Sequence, residues 1–389
     1  MPNQSTLDIL STLISYDTTS AHSNMPLIDY VQTYLSDYGI ESTLVFNRDK
    51  TKANLFATIG PKDKAGVMLS GHTDTVPVTG QQWDTNPFEL VIDEQRCFGR
   101  GTTDMKSFIA VVLAAIPEFL ARPLHYPVHF AFSYDEEIGC LGVRGLIEQL
   151  HHLSIKPVAC IVGEPTSMQV ATRHKGKLAA KVTVTGKSCH SGMAPYGVNA
   201  VNYAARLVNW LENMALTKRD HGPFNAEYEI PYTTIHTGTI RGGQALNIVP
   251  DLCQFDFEMR NIAGDNPAQI LSDLRTYTEQ LVEEMREASE ECDITIEILT
   301  EYPGLDTSEN TRLIDYVQNL AQDFEISRIN FGTEGGLFSQ QLKIPTLVCG
   351  PGNMEQGHKP NEYITFEQLE KAEAFIHKLA RSLADNAFI

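Results

Sequence analysis

The 389-residue chain lacks several features that would assign it to a particular class of protein. It has no excess of basic residues: 49 Asp and Glu exceed 30 Lys and Arg, which gives a formal charge of −19. Nucleic acids and anionic membranes are polyanions, so this charge argues against both as partners. Long apolar runs are also absent, because the longest, residues 107–117, is shorter than the roughly 20 residues of a membrane-spanning helix.

Paired cysteines are a further absence. An odd, scattered set without a CxxC pair in a chain of this length is typical of reduced thiols, so we expect a cytoplasmic protein. The first ten residues contain no basic segment followed by an apolar core, and we therefore expect no signal peptide. The seven cysteines are Cys97, Cys140, Cys160, Cys189, Cys253, Cys292 and Cys349.

What the chain does have is the composition and length of a globular protein with more than one core. Apolar residues make up 42% and charged residues 20%, and the length suits two domains or one large domain with an insertion. Short apolar runs at 66–70, 128–132, 158–162 and 344–349 predict buried strands, and helical patterns separate them. Helices are predicted at 26–39, 106–120, 142–152 and 311–324. This alternation predicts an α/β domain with a mostly parallel central sheet flanked by helices.

The pattern changes near residue 177. Two helical stretches and four strands follow in the order β-α-β-β-α-β, which is the ferredoxin-like split βαβ pattern. The helices are predicted at 198–216 and 267–291, and the strands at 181–185, 233–240, 252–260 and 293–299. We therefore predict an inserted α+β domain at 177–301 within a discontinuous domain formed by 1–176 and 302–389.

Histidine and carboxylate residues follow several predicted strands. In open α/β sheets, ligands bind beyond the carboxyl ends of the strands. Each residue alone has a plain explanation: His72 could be a surface histidine, and Asp104 could cap the helix that follows it. As an ensemble they supply nitrogen and oxygen ligands that suit zinc, with further carboxylates for orientation and proton transfer. The residues are His72, Asp74, Asp104, Asp135, Glu136, Glu137, Glu164 and His358.

At these positions the sequence resembles a zinc-dependent family of amidohydrolases and peptidases. The family contains acetylornithine deacetylase, succinyl-diaminopimelate desuccinylase, aminoacylase and related carboxypeptidases. The resemblance covers nearly the whole chain and is carried by GHTDTVPV, GRGTTDMKSFIA, SYDEEIGC, VGEPTSM, HKGKLAAKVTVTGKSCHSG, NIVPDLCQFDFEMR, GTEGGLF and CGPGNMEQGHKPNEY. It implies a zinc-peptidase-like catalytic domain and an inserted lid and dimerisation domain, hence a homodimer.

The resemblance implies a role for each matched residue of the catalytic domain. Asp104 would bridge two Zn2+ ions, for which Co2+ is a possible substitute, and the peptide bond after it would be cis. One metal position would use His72 and Glu164, and the other Glu137 and His358. Asp74 would orient His72. Glu136 would be the general acid/base for a hydroxide that bridges the metals.

The resemblance also assigns three residues of the inserted segment. His190 would stabilise the oxyanion, in its own subunit or in a partner's site, while Asn247 and Arg260 would hold the substrate. A structural salt bridge is the alternative for Arg260. A nucleophilic dyad of Cys189 and His190 is rejected, because neighbours in a strand or turn point apart.

Within the family, the segments at 80–88, 174–176 and 197–201 are most similar to the acetylornithine deacetylase branch. This implies hydrolysis of N2-acetyl-L-ornithine, a small-molecule substrate, to L-ornithine and acetate, a step of arginine biosynthesis. Gly192 and Gly335 depart from the usual pattern of the branch. A desuccinylase or a broad N-acyl amino acid deacylase is therefore an alternative, and a catalytically inactive binding module is a remote one.

Overall fold

The computed structural model describes residues 1–388 and divides the chain into two compact units. The first unit contains residues 1–173 and continues from Leu305, and the second unit is His174–Gly304. The sequence-based boundaries of the insertion lie three residues inside these limits at each end. Each unit has its own hydrophobic core.

The strands and helices are numbered here in chain order. The strands are β1 (Ser42–Phe46), β2 (Ala53–Ile59), β3 (Val67–His72), β4 (Val91–Asp93), β5 (Arg96–Phe98), β6 (Val128–Ser133), β7 (Ala159–Pro165), β8 (Arg173–His174), β9 (Gly176–Thr185), β10 (Thr234–Gly242), β11 (Leu252–Asn261), β12 (Asp293–Tyr302), β13 (Leu305–Asp306), β14 (Thr346–Gly350) and β15 (Tyr363–Thr365). The helices are α1 (Gln4–Ser15), α2 (Met25–Asp37), α3 (Lys106–Ala114), α4 (Ile116–Ala121), α5 (Val143–His151), α6 (Ala200–His221), α7 (Pro267–Arg286), α8 (Thr311–Ala321), α9 (Gly335–Leu337) and α10 (Phe366–Ala384). A 3-10 helix spans Ser191–Tyr196, and a π-helical turn at Phe338–Leu342 follows α9.

The main sheet of the first unit has the strand order β1-β2-β6-β3-β7-β14. The pairs β6/β3, β3/β7 and β7/β14 are parallel, whereas β1/β2 and β2/β6 are antiparallel. Every residue of β3, β6, β7 and β14 is buried, as expected for parallel strands covered on both faces. The predicted α/β fold is confirmed, and the carboxyl ends of these parallel strands share one edge of the sheet.

Four helix predictions are wrong in their limits. The helix predicted at 198–216 is α6, which spans Ala200–His221. The helix predicted at 106–120 is two helices, α3 and α4, because Pro117 has no N–H and its ring would clash with the carbonyl four residues earlier. The helix predicted to run to residue 291 ends at Arg286, before the chain turns into β12. The helix predicted to end at residue 324 ends at Ala321, because Gln322 adopts the left-handed conformation with φ 57°.

The second unit is a four-stranded antiparallel sheet with the order β10-β11-β9-β12. Counted within the unit, this order is 2-3-1-4, which is the split βαβ arrangement that the sequence pattern predicts. Alternate residues of β9, among them Leu178, Val182 and Val184, are buried in a core that includes Leu207 of α6 and Leu274 of α7. The unit is therefore a two-layer α+β fold.

Over residues 1–388, no helix combines the length and the apolar character needed to span a lipid bilayer.

Candidate metal centre

Five candidate ligands converge at the carboxyl edge of the main sheet. His72 is the last residue of β3, and Glu164 lies one residue before the end of β7. Glu137 is in the loop after β6, Asp104 is just before α3, and His358 is in the loop between β14 and β15. The side chains of His72, Asp104 and Glu164 are at most 3% exposed. The fold thus brings together residues that are up to 286 positions apart in the sequence.

Asp104 is at the centre of this cluster. Its Oδ1 lies 3.0 Å from His72 Nε2, and its Oδ2 lies 3.0 Å from His358 Nε2. His72 Nε2 is also 3.5 Å from Glu164 Oε1, and His358 Nε2 is 3.0 Å from Glu137 Oε2. The cluster therefore has two halves, each with one histidine and one glutamate, and Asp104 contributes one oxygen to each half. The peptide bond between Asp104 and Met105 is cis, which confirms that implication of the family resemblance.

Asp74 lies beside the imidazole of His72, the residue that it is expected to orient. His72 Nδ1 is 2.9 Å from the carbonyl oxygen of Asp74 and 3.6 Å from its carboxylate, so the carbonyl is the nearer acceptor. A proton on Nδ1 leaves the lone pair of Nε2 directed at the cluster, which is the tautomer a metal ligand needs. The Asp74 carboxylate accepts hydrogen bonds from the backbone N–H groups of Glu136 and Glu137 and from Ser20 Oγ.

Glu136 lies beside the cluster in the same loop as Glu137. Cys140 Sγ donates a hydrogen bond to Glu136 Oε1 at 3.3 Å. The loop contains two non-glycine residues in the left-handed region, Asp135 with φ 55° and Cys140 with φ 54°. Such conformations are held by the surrounding structure, here by an ion pair of 2.5 Å between Lys52 Nζ and Asp135 Oδ1.

The electrostatics of the cluster favour a bound cation. Burial, followed by repulsion from Asp104, raises the pKa values of both Glu137 and Glu164. Burial also raises the pKa of Glu136, with further repulsion from Glu137 and Asp104. For Asp104, burial acts in the same direction, but hydrogen bonds to His358 and His72 outweigh it and lower the pKa.

The donor set fits divalent metal ions. Two groups of side chains each place one ligand atom within 4.8 Å of the others: His72, Glu136 and Glu164, and His72, Asp104 and Glu137. Glu137 Oε1 is buried without a hydrogen-bond partner among the described residues, which is the state of an oxygen that needs a ligand. Imidazole nitrogens with carboxylate oxygens are ligands that zinc accepts, and these residues could hold it.

Two candidates in the second unit, His190 and Asn247, are exposed and close to each other. Ser191 N donates to the carbonyl oxygen of Asn247 at 2.9 Å, and His190 forms an isolated β-bridge with Ile248. His190 Nδ1 accepts a hydrogen bond from Gly192 N at 3.1 Å. Because Nδ1 accepts this hydrogen bond, Nε2 carries a ring proton and is a hydrogen-bond donor.

Arg260, the third candidate of the second unit, has partners within that unit. Its Nε donates to Glu258 Oε1 at 3.1 Å, and its Nη1 donates to Tyr302 Oη at 3.2 Å. This is the salt bridge that the sequence left open as an alternative. The substrate-binding role of Arg260 stays a prediction.

Sequence reasoning assigned no role to two buried carboxylates near the cluster. Glu334 accepts hydrogen bonds from Ser70 on β3 and from Ser133 at the end of β6, and it thereby joins two strands next to their site residues. Glu362 accepts from the backbone beside Asp104. Both residues lie in segments that carry the family resemblance, GTEGGLF and HKPNEY, and a carboxylate within such a segment was the available signal.

The α/β fold and its buried ligand cluster are the arrangement expected of a metal-dependent hydrolase. Residues 68–382 match the model of peptidase family M20/M25/M40, and the chain belongs to that family. An acetylornithine deacetylase from Pasteurella multocida is 33% identical over 372 residues, which are 95% of this chain and 94% of the relative.

Solved structures agree with the fold. The aminopeptidase PepT of Bacillus cereus superposes with a TM-score of 0.75 at 20% identity, over 98% of this chain and 99% of PepT. The YXEP protein of Bacillus subtilis, described as a dinuclear metal binding peptidase of the M20 family, has a TM-score of 0.65 at 14% identity, over 98% of both chains. The family model and the acetylornithine deacetylase relative confirm the expected family and hydrolase class.

Proposed function

We propose that the chain hydrolyses N2-acetyl-L-ornithine to L-ornithine and acetate with two divalent metal ions, Zn2+ or Co2+ as a substitute. The observation that carries the metal chemistry is the position of Asp104, whose two oxygens each lie 3.0 Å from a different imidazole. The choice of substrate rests on the similarity to acetylornithine deacetylases, which extends over 95% of the chain.

In this proposal Asp104 is shared by two metal positions. His72 and Glu164 would complete one position, and Glu137 and His358 the other. When bound, the two ions acidify a water molecule and polarise the carbonyl oxygen of the acyl group.

Glu136 would move the proton. Its Oε1 is engaged by Cys140 Sγ, which leaves Oε2 to take a proton from the attacking water and to pass it to the departing amine. The hydrogen bonds from the backbone N–H groups of Glu136 and Glu137 to Asp74 would hold the loop in place during this transfer. Burial of the Glu136 carboxyl raises its pKa, which is the direction that a general acid/base working near neutral pH needs.

The second unit would supply substrate contacts and a dimer interface. His190 Nε2 would donate a hydrogen bond to the oxyanion, and Asn247 and Arg260 would contact the substrate. We propose the insertion, predicted as 177–301, as a lid and dimerisation domain, with residues 1–176 and 302–389 as the catalytic domain. All seven cysteines are free thiols, which is compatible with the proposed cytoplasmic location. Sedimentation equilibrium of the protein tests the homodimer.

The proposal is tested by an activity screen on metal-depleted protein and on protein reloaded with Zn2+ or Co2+. The panel contains N2-acetyl-L-ornithine, N-succinyl-LL-diaminopimelate and N-acetyl-L-methionine. We expect metal-dependent release of L-ornithine and the highest kcat/KM for the acetylornithine substrate. A preference for the succinyl substrate, or equal rates on all three, would replace this substrate with a desuccinylase or broad deacylase function. No turnover by metal-loaded protein would favour a binding module.

A further inference from the structure

We propose that Glu362 is a positioning residue that, together with Arg100, fixes the bridging Asp104 relative to His358. The inference rests on the proposed two-metal centre. It concerns how the protein fixes the two halves of the ligand cluster relative to each other. It assigns a function to a buried ion pair that touches neither the ligand atoms nor Glu136.

Glu362 contacts the loop that carries Asp104. Glu362 is fully buried, and its Oε1 accepts hydrogen bonds from Thr103 N at 2.8 Å and from Asp104 N at 3.1 Å. A carboxylate that binds two successive backbone N–H groups fixes the peptide plane of that segment. The orientation of the Asp104 side chain therefore depends on Glu362.

Arg100 contacts the loop that carries His358. Arg100 is 1% exposed, and its Nη1 donates to Glu362 Oε2 at 2.6 Å and to the carbonyl oxygen of Lys359 at 3.4 Å. Arg100 Nη2 donates to Gln81 Oε1 at 2.5 Å, and Gln81 Nε2 donates to the carbonyl oxygen of His358 at 3.0 Å. One connected set of hydrogen bonds thus joins the backbone of Asp104 to the backbone of His358.

The ligands of the two metal positions differ in how firmly the surrounding structure holds them. His72 and Glu164 are held by strands in the middle of a sheet. His358 is in a loop, its φ is 60°, and its side chain is 45% exposed, so fewer neighbours constrain it. We therefore expect the position that uses His358 and Glu137 to depend most on Glu362.

The variants separate this role from simple stabilisation of the fold. E362Q keeps the size of the side chain, but its amide nitrogen cannot accept a hydrogen bond and Arg100 loses its ion-pair partner. The double variant R100M/E362Q removes both charges, so no unpaired charge stays buried. The matched control is E355Q, an exposed glutamate in the same loop as His358.

The experiment is equilibrium dialysis of metal-free full-length protein against Zn2+, with metal content measured per chain and the Tm of the metal-free protein recorded. For E362Q and R100M/E362Q we expect the tighter ion to bind within threefold of wild type. The weaker ion should bind about 10- to 100-fold less tightly, as for other groups that orient ligands. E355Q should match wild type for both ions.

Two results would overturn the inference. Unchanged affinity for both ions in E362Q and in the double variant would show that Glu362 does not position the centre. An equal loss at both positions with a lower Tm of the metal-free double variant, or its failure to fold, would reduce Glu362 to a structural residue. Wild-type protein that binds fewer than two ions would instead contradict the proposed function itself.

Discussion

The candidate residues of the two units differ in burial and in the contacts that they make. In the first unit, His72, Asp104 and Glu164 are buried and lie within 3.5 Å of one another or of a shared partner atom. In the second unit, His190 and Asn247 are exposed. His190 Nδ1 accepts a hydrogen bond from Gly192 N, and the carbonyl oxygen of Asn247 accepts one from Ser191 N. Buried residues that contact one another suit a fixed metal centre, whereas exposed residues are accessible to a ligand.

The difference follows from the two sheets. Parallel strands end at a common edge, so their final residues meet without any long loop, and burial there requires that each charge has a partner. The antiparallel sheet of the second unit is covered on one face by α6 and α7, and its candidates lie in connections or on a partly exposed strand position. We therefore expect substitutions in the first unit to abolish metal binding or proton transfer. Substitutions in the second unit should change kcat or KM while the metal content stays the same.

The largest effect is expected for D104A in the first unit. Loss of the shared carboxylate should remove metal from both positions, and kcat/KM should fall by about 10⁴-fold or more, since the metal chemistry is lost. Metal analysis and initial rates measure both effects, with the exposed D93A as control. D104A protein that keeps two ions per chain would contradict the shared role of Asp104.

The second prediction separates Glu136 from its neighbour Glu137. E136Q should keep its metal while kcat falls by about 10²- to 10⁴-fold, because proton transfer is lost. E137A should lose metal. E148Q, an exposed position on α5, is the control for the measurements of kcat and metal content. Near-normal kcat in E136Q would show that another group transfers the proton.

The third prediction concerns His190 in the second unit. H190A should lower kcat by about 10²- to 10³-fold, as for removal of one oxyanion donor, with unchanged metal content. C189A should leave kcat unchanged, since Cys189 Sγ contacts the carbonyl oxygen of Met193 and has no proposed part in the reaction. If C189A is as slow as H190A, the rejected dyad must be reconsidered.

A smaller effect is expected for Arg260. R260M should raise KM by about 10- to 100-fold with a lesser change in kcat, the range for loss of one charged hydrogen bond. The matched variant E258Q removes the ion-pair partner but leaves the guanidinium, and it should change KM much less. Equal effects of the two substitutions on KM and Tm would indicate a structural salt bridge.

The smallest effect is on stability and concerns His129, a buried residue of the first unit outside the cluster. Burial lowers its pKa to about 4, so the folded protein keeps the imidazole neutral. The contribution of His129 to the free energy of unfolding is fully present above the pKa of about 6.5 that histidine has in the unfolded chain. This contribution is lost as the pH falls towards 4, and the loss at pH 5 is about 2 kcal/mol. Denaturant unfolding at pH 7.5 and pH 5 should show a smaller loss for H129Q than for wild type.

The control for His129 is H151Q, an exposed position at the end of α5. It should lose as much stability as wild type between the two pH values. An identical pH dependence of H129Q and wild type would mean that His129 is not the group responsible. Activity and metal content should be unchanged in both variants.

The sequence was sufficient for the fold class, and the family resemblance supplied the candidate ligands, which the structure brings together. Short, mostly apolar runs such as that of β3 indicate buried parallel strands, and the order of elements after residue 176 indicates the split βαβ unit. The break between α3 and α4 was missed because apolar periodicity was followed past Pro117, although the missing N–H of proline was visible in the sequence.

The finer geometry of the site needed the structure. The Asp74 carboxylate binds the backbone N–H groups of Glu136 and Glu137, and a side-chain pattern carries no information about backbone partners. Glu362 reaches Asp104 N across 258 residues of sequence. Contacts of this kind depend on how the loops fold over the sheet edge, which neither periodicity nor spacing determines.

The most direct test of the two-metal centre is anomalous diffraction at the zinc edge from crystals of the zinc-loaded protein. We predict two peaks about 3.5–4 Å apart with Asp104 between them. Each peak should lie about 2.0–2.2 Å from its imidazole nitrogen and carboxylate oxygen. One peak should be bound by His72 and Glu164, and the other by His358 and Glu137. A single peak, or peaks that do not share Asp104, would contradict the account.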